Sequence, residues 1–286
     1  MFEECVKSAC RVCEVCVNCM CAVCEMSVKC ACSISEVCEE CMSGTVWPAI
    51  KNKCKDGSLV KSALRAAETK FSRLLGDREL VDMFISVSHF HRDKMIEGGI
   101  PSDKIVTLHN FVDTEKIVPV YGGNYGLYFG RIEELKGIKT LLDAIKICKQ
   151  PLKIVGTGAA LEQMKQYAVD NEILNVEFLG FKQGNELKEL IEGANCVCVP
   201  SEWYENCPMT VLEAKAFGKP VIGTKIGGIP ELIEHGKDGY LCDVKDSNAL
   251  ANYIELCSNP NDSIKLGKIS RINVEEKFSK QAHYER

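Results

Sequence analysis

The chain has 286 residues, 46% of them hydrophobic and 26% charged, with a formal net charge of -5. That length allows two domains of ordinary size and that composition is globular. The charge excludes an overall basic nucleic-acid surface, and no lysine/arginine block stands out. No apolar run approaches the ~18 residues a membrane span needs, and Glu3, Glu4, Lys7 and Arg11 interrupt the early apolar residues where a signal peptide would need continuity. The expectation is a cytoplasmic protein with no nucleic-acid partner and no transmembrane segment, for which peripheral membrane contact stays open.

Cysteine divides the chain. Of 18 cysteines, twelve fall between Cys5 and Cys54. In "CRVCEVCVNCMCAVC", Cys10, Cys13, Cys16 and Cys19 repeat every third residue. Such spacing drifts off one helix face, because each step falls ~60° short of a full turn. Loops around zinc or an iron–sulfur cluster suit it better. Against this, the segment has neither a C-x3-C-P ending nor a nearby histidine, and an unordered low-complexity start is an equal reading. A disulfide framework fits a cytosolic chain least. The reading therefore sets residues 1–57 apart as a cysteine-rich segment.

From there, short apolar clusters alternate with helical periods. "MFISV" (83–87) precedes an amphipathic stretch over 88–97, and "KIVTL" (104–108) follows. "GLYFG" (126–130) leads into "GIKTLLDAIKIC", where Ile138, Leu141, Leu142 and Ile145 keep helical spacing. "LKIVG", "VEFLG" and "CVCVP" each precede a further helical stretch, and "KPVIG" (219–223) follows the last of these. This alternation predicts an α/β fold with a doubly wound parallel sheet, Rossmann-like, covered on both faces. Ligands in such folds bind beyond the carboxyl ends of the strands. Attention falls on 130–136, Gly156–Gly158, Phe181 and 201–210.

At those ends, "YENCPMTVLEA" (204–214) brackets a helix start with Glu205 and Glu213. Pro208 suits a first helical turn and Gly218 the residue past the end, so a helix over about 208–217 is expected. Its free N–H groups at Met209 and Thr210 suit an anion, phosphate above all. "GRIEELKG" places Arg131 and Lys136 after another strand, where both could reach that anion. Gly156-Thr157-Gly158 suggests a dinucleotide turn, but the third glycine position is Leu161 and no acidic residue ends the next strand. No Asp-x-Asp pair is present to hold a divalent ion on a diphosphate.

With these residues together, the chain resembles a retaining GT-B glycosyltransferase of family four. The likeness rests on "PSEWYENCPMTVLEAKAFGKPVIGTKIGGIPELI" (200–233), on "FGRIEELKG", and on "VDMFISVSHFHRDKMIEGGIPSDKIVTLHNFVD" (81–113). It implies residues 58–115 as a remnant of the N-terminal, acceptor-side domain, 116–260 as the donor domain and 261–286 as a C-terminal helix. It implies hexosyltransferase-type transfer in glycan biosynthesis, from a UDP- or GDP-linked sugar to a glycan, lipid or other hydroxyl, with no cofactor required. Catalytic roles fall to Glu205, Arg131 and Lys136. Donor binding falls to Gly130, Gly156, Gly158, Phe181, Lys182, Asn206, Cys207, Pro208, Met209, Thr210 and Glu213. Phe181 and Lys182 would pack the base, and Glu213 would bind ribose hydroxyls. "CEECMSG…IKNKC" resembles a cysteine-bearing insert of some relatives, which leaves a structural zinc or iron–sulfur centre on Cys38, Cys41 and Cys54 as a reading. The early histidine of the family has no counterpart; His89 and His91 fall at a later helix start. Two alternatives stand beside transfer: a truncated nucleotide-sugar-binding module without turnover, and a metal-binding protein acting through its N-terminal cysteines.

Overall fold

The computed structural model describes residues 45–55, 57–76 and 80–285, leaving aside the side chains at 72 and 73. The reading that assigns ligands to Cys5–Cys32, Cys38 and Cys41 lies outside them. The chain forms two compact units, one from residues up to Ile85 plus Asp93–Val106, the other from Ser86–Arg92 plus Thr107 onward.

In the first unit, helices α1 (Trp47–Lys51) and α2 (Leu59–Leu75) bury Ala49, Cys54, Ser62 and Ala66. Strands β1 (Phe84–Ser86) and β2 (Ile105–Thr107), whose last residues already group with the second unit, pair in a two-stranded sheet and are separated in the chain by α3 (His89–Glu97). Phe84, Met95, Ile100 and Ile105 make a small core there. The first residues of α3, through Arg92, group with the second unit.

The second unit is built on six parallel strands: β3 (Tyr125–Phe129), β4 (Leu152–Val155), β5 (Val176–Gly180), β6 (Ala194–Val199), β7 (Val221–Thr224) and β8 (Gly239–Cys242). Their order across the sheet is β5-β4-β3-β6-β7-β8. The order runs outward in both directions from β3 and β6, so these two strands mark the topological switch point where doubly wound sheets bind ligands. β3 and β6 are buried along their whole length, the pattern of a strand covered on both faces.

Side-chain alternation sorts the core into two layers. Leu127, Phe129, Val197 and Val199 face one cluster, which takes Val211, Leu212 and Ala214 from α7 (Met209–Ala216) and Val274 and Phe278 from α10 (Pro260–Phe278). Tyr128, Cys196 and Cys198 face the other, filled by Leu141, Leu142 and Ile145 of α4 (Ile138–Cys148) and by Leu250 and Ile254 of α9 (Ser247–Ser258). α5 (Leu161–Asp170), α6 (Gly184–Glu192), α8 (Ile229–Leu232) and α11 (Lys280–Tyr284) complete the unit. The alternation read from the sequence is thus present, and β8 with its following helices extends it. Among the described residues no helix is long and apolar enough to cross a membrane.

Two lysines of "EAKAFGKP" are fully buried rather than facing solvent. Lys219 donates to the carbonyls of Gly122 and Glu192, both at 2.7 Å, and burial pushes its ammonium down to about 8. Its folded pKa lies below the ordinary lysine value of 10.5. Between those limits the unfolded chain therefore holds more protons, and this group makes stability rise with pH. Urea unfolding at pH 7.5 and 9.5 checks this: wild type minus Lys219→Met should show a difference growing toward pH 9.5. A pH-independent difference would contradict it.

Candidate functional site

The loops leaving β3 and β6 meet at the switch point, and glycines set how closely. Gly137 has φ +70°, and a Cβ there would lie 1.9 Å from the Pro200 carbonyl oxygen, so only glycine lets the first loop seat against the second. Gly156, after β4, leaves no room either: its Cβ would stand 1.8 Å from the Gly130 carbonyl oxygen. The Gly130 N–H donates to Val155, the Gly156 N–H to Gly180 and the Ile132 N–H to Thr157, which ties the ends of β3, β4 and β5 into one ledge.

Across this junction the Lys136 ammonium donates to Glu205 Oε1, which also accepts from the Ser201 hydroxyl at 3.0 Å. Both side chains of the ion pair are about one-fifth exposed, so the pair joins the two loops while keeping some contact with solvent. Tyr128 underlies the same corner. Its hydroxyl donates to the Arg131 carbonyl at 2.6 Å, and burial, with the Glu205 carboxylate next in effect, pushes its phenol far up. The neutral hydroxyl therefore stays a donor that fixes the Arg131 backbone.

Arg131 itself is not joined to this pair. Its guanidinium is largely exposed and bonds Glu133 at 3.0 Å. Phe181 is 65% exposed at the end of β5, at the sheet edge, beside Lys182, which pairs with Glu186 at 2.8 Å. Gly158 is exposed on the β4 loop, where a Cβ would crowd the Ile132 carbonyl at 2.2 Å.

Helix α7 begins one residue later than the sequence suggests. Pro208 is its N-cap, with ψ 121° in the extended region, rather than its first helical residue. A proline cap has no side-chain acceptor, and none caps the helix. The amides of Met209 and Thr210 consequently have no hydrogen-bond partner among the described residues, which leaves an N-terminus ready for an anion. One turn inside, Glu213 is partly buried, its carboxylate makes no hydrogen bond among the described residues, and burial pushes its carboxyl up. A half-buried carboxylate without donors costs free energy until a ligand's hydroxyls supply them. Asn206 is half-buried, while Cys207 is buried, with its thiol pushed up to about 11 by burial and its carbonyl accepting from Asn110 Nδ2 at 3.0 Å. That thiol is a packing group rather than a nucleophile.

The contacts of several groups here are not readable from the sequence. Ser201 holds Glu205, and Thr140 donates to Glu202 at 2.6 Å, bracing the same loop from α4. Glu231 and His109 form a further pair at 3.0 Å. Glu231 stands in the quoted Gly-Gly-x-x-Glu stretch, so a signal was present; the partners it meets lie too far away in the chain to be read. Cys54 is buried in the first unit, while the other two cysteines of that reading lie outside the described residues.

A parallel sheet wound both ways from a switch point is the architecture of a Rossmann-like domain. The family model described as "Glycosyl transferases group 1" matches residues 113–271, and the chain belongs to that family. It is 29% identical over 206 residues to an uncharacterized glycosyltransferase of Methanocaldococcus jannaschii, covering 72% of this chain and 56% of that protein. It is also 29% identical over 231 residues to the amylovoran biosynthesis glycosyltransferase AmsK of Erwinia amylovora, covering 75% and 56%. The chain thus spans about half the length of the curated relatives it matches. Among solved structures, Anabaena HepE in complex with UDP and glucose superposes with a TM-score of 0.65 at 23% identity, covering 71% of this chain and 61% of HepE. A Staphylococcus aureus TarM mutant gives 0.67 at 22%, covering 79% and 45%. These likenesses are of fold, and the fold is GT-B.

Proposed function

We propose that the second unit binds a nucleoside-diphosphate sugar, UDP- or GDP-linked, and that the protein transfers its hexose to a hydroxyl of a glycan, lipid or other acceptor, with retention and without a metal. The observation that carries this is the Lys136–Glu205 pair spanning the switch point beside the open N-terminus of α7. Lys136 and the amides of Met209 and Thr210 would hold the diphosphate, with Arg131 able to swing in from the surface. Glu213 would accept the ribose hydroxyls, which explains why it lacks protein donors. Glu205 and the Asn206–Cys207 turn would face the sugar, and the ledge of Gly130, Gly156 and Gly158 would pass the backbone close to the donor, with Phe181 and Lys182 on the base.

The charge change fits this layout. As the glycosidic bond to the diphosphate breaks, negative charge grows on the leaving oxygen while the sugar becomes cation-like. Ammonium and N–H dipoles already in place bind that state better than the ground state. The absence of any Asp-x-Asp pair from the sequence makes Lys136 and the helix dipole the counter-charges.

A second reading, a donor-binding module without turnover, draws support from the chain's span of only about half its relatives. Titration with UDP- and GDP-sugars, followed by assay of sugar transfer and donor hydrolysis, separates the two; binding without either reaction favours the module. Glu213→Ala should weaken binding of the accepted nucleoside diphosphate by about tenfold, the scale of one charge-assisted hydrogen bond. Unchanged affinity in calorimetry would remove its ribose role.

A further inference from the structure

Glu231 ends a short stretch that begins at Gly227-Gly228, and its carboxylate collects donors from two distant segments. Oε2 accepts the His89 N–H at 2.8 Å and meets His109 Nε2 at 3.0 Å, while Oε1 accepts the Phe90 N–H at 2.7 Å. His89 and Phe90 carry the first two amides of α3, so a residue more than a hundred positions away in the chain caps that helix. Ligand atoms of His89, His109 and Glu231 lie within 4.8 Å of one another. With both carboxylate oxygens engaged by amides, however, the geometry is that of a cap rather than of a metal site.

Both segments that Glu231 gathers also reach the loop 204–207, through Phe90 and Asn110. The Phe90 ring packs on Tyr204, centroids 4.8 Å apart, and Asn110, next to His109, donates to the Cys207 carbonyl. From the third side, Gly228 N–H donates to the Glu205 carbonyl at 2.6 Å, and a Cβ at Gly228 would stand 1.9 Å from the Asn206 oxygen. The Glu231 N–H donates back to the Gly228 carbonyl at 3.1 Å, which ties the residue to the glycine turn. By contrast, Glu213 and the amides of Met209 and Thr210 have no hydrogen bond to any of these segments.

We infer that Glu231 is a positioning residue for the sugar-facing loop Tyr204–Cys207, acting through the α3 amides, His109 and the Gly227-Gly228 turn, and leaving the nucleotide-facing groups alone. The inference deepens the donor reading and rests on it for what Glu205 does. Holding the loop in place matters because a misplacement of about 1 Å, caused far from the chemistry, can cost about a hundredfold in rate.

Hydrogen–deuterium exchange on the full chain, without any donor, tests the structural half. Glu231→Gln keeps the size but turns an NH2 toward one of the amides. It should speed exchange roughly tenfold at His89–Phe90 and also at Tyr204–Cys207 and Gly228, with α7 beyond Val211 unchanged. Faster exchange confined to His89–Phe90, or spread evenly over the unit, overturns the proposal; Glu231→Asp serves the same comparison should the glutamine variant not fold. Calorimetry tests the functional half. With whichever of UDP or GDP the wild type binds, the variant's affinity for the free nucleotide should stay within about twofold while the gain from an attached sugar is lost. Equal weakening of both overturns the proposal. Wild-type silence toward every nucleotide counts against the donor reading alone, and the exchange result still decides the role of Glu231.

Discussion

Lys136→Ala is expected to lower sugar transfer about a hundredfold, the size seen when one preplaced charge-stabilising donor is removed from a leaving oxygen. The loss should fall on kcat more than on KM, because the lysine's partner changes during the reaction. In the resting protein its ammonium is taken by Glu205; in the transition state it would be drawn to the departing diphosphate. Lys136→Arg should retain part of the rate, a guanidinium keeping the charge but not the point geometry. A single-turnover assay on the alanine variant that matches wild type would remove Lys136 from the chemistry.

The second large effect is on folding. Lys215 is fully buried and uses all three ammonium protons: on Asp238 at 2.8 Å, on the Leu232 carbonyl at 2.5 Å and on Asn273 at 2.8 Å. Burial pushes its pKa down, and the Asp238 charge opposes that shift. Lys215→Met would strand the buried Asp238 carboxylate and cost about 3–5 kcal/mol. For a chain of this size that lowers Tm by on the order of 10 °C. Lys215→Met with Asp238→Leu should recover much of the loss, because replacing both partners removes the uncompensated charge. A single variant melting within about 2 °C of wild type would show that the pair contributes little.

These lysines also show where sequence reading runs out. The strands were legible because apolar clusters of strand length alternate with helical spacing, as in "GLYFG" followed by Ile138, Leu141, Leu142 and Ile145. The burial of Lys215 and Lys219 was not, because nothing near "EAKAFGKP" names Asp238, Asn273 or the carbonyls of Gly122 and Glu192. Lys136 and Glu205 were each legible as strand-end groups, while their pairing needed the β3–β6 adjacency that only the sheet order supplies. Pro208 suits a first helical turn because its missing N–H would have no partner there; its ψ, which the sequence does not constrain, makes it the cap instead. Glu231 lies within "GGIPELI", but nothing in that stretch names the amides of His89 and Phe90 that end on it.

The most direct measurement is a crystal structure of the full chain with the nucleoside diphosphate it binds. The account predicts the diphosphate within hydrogen-bonding distance of the Lys136 ammonium and of the Met209 and Thr210 amides, with the ribose on Glu213. A nucleotide seated elsewhere, with Glu213 still bare and Lys136 still closed on Glu205, would contradict it.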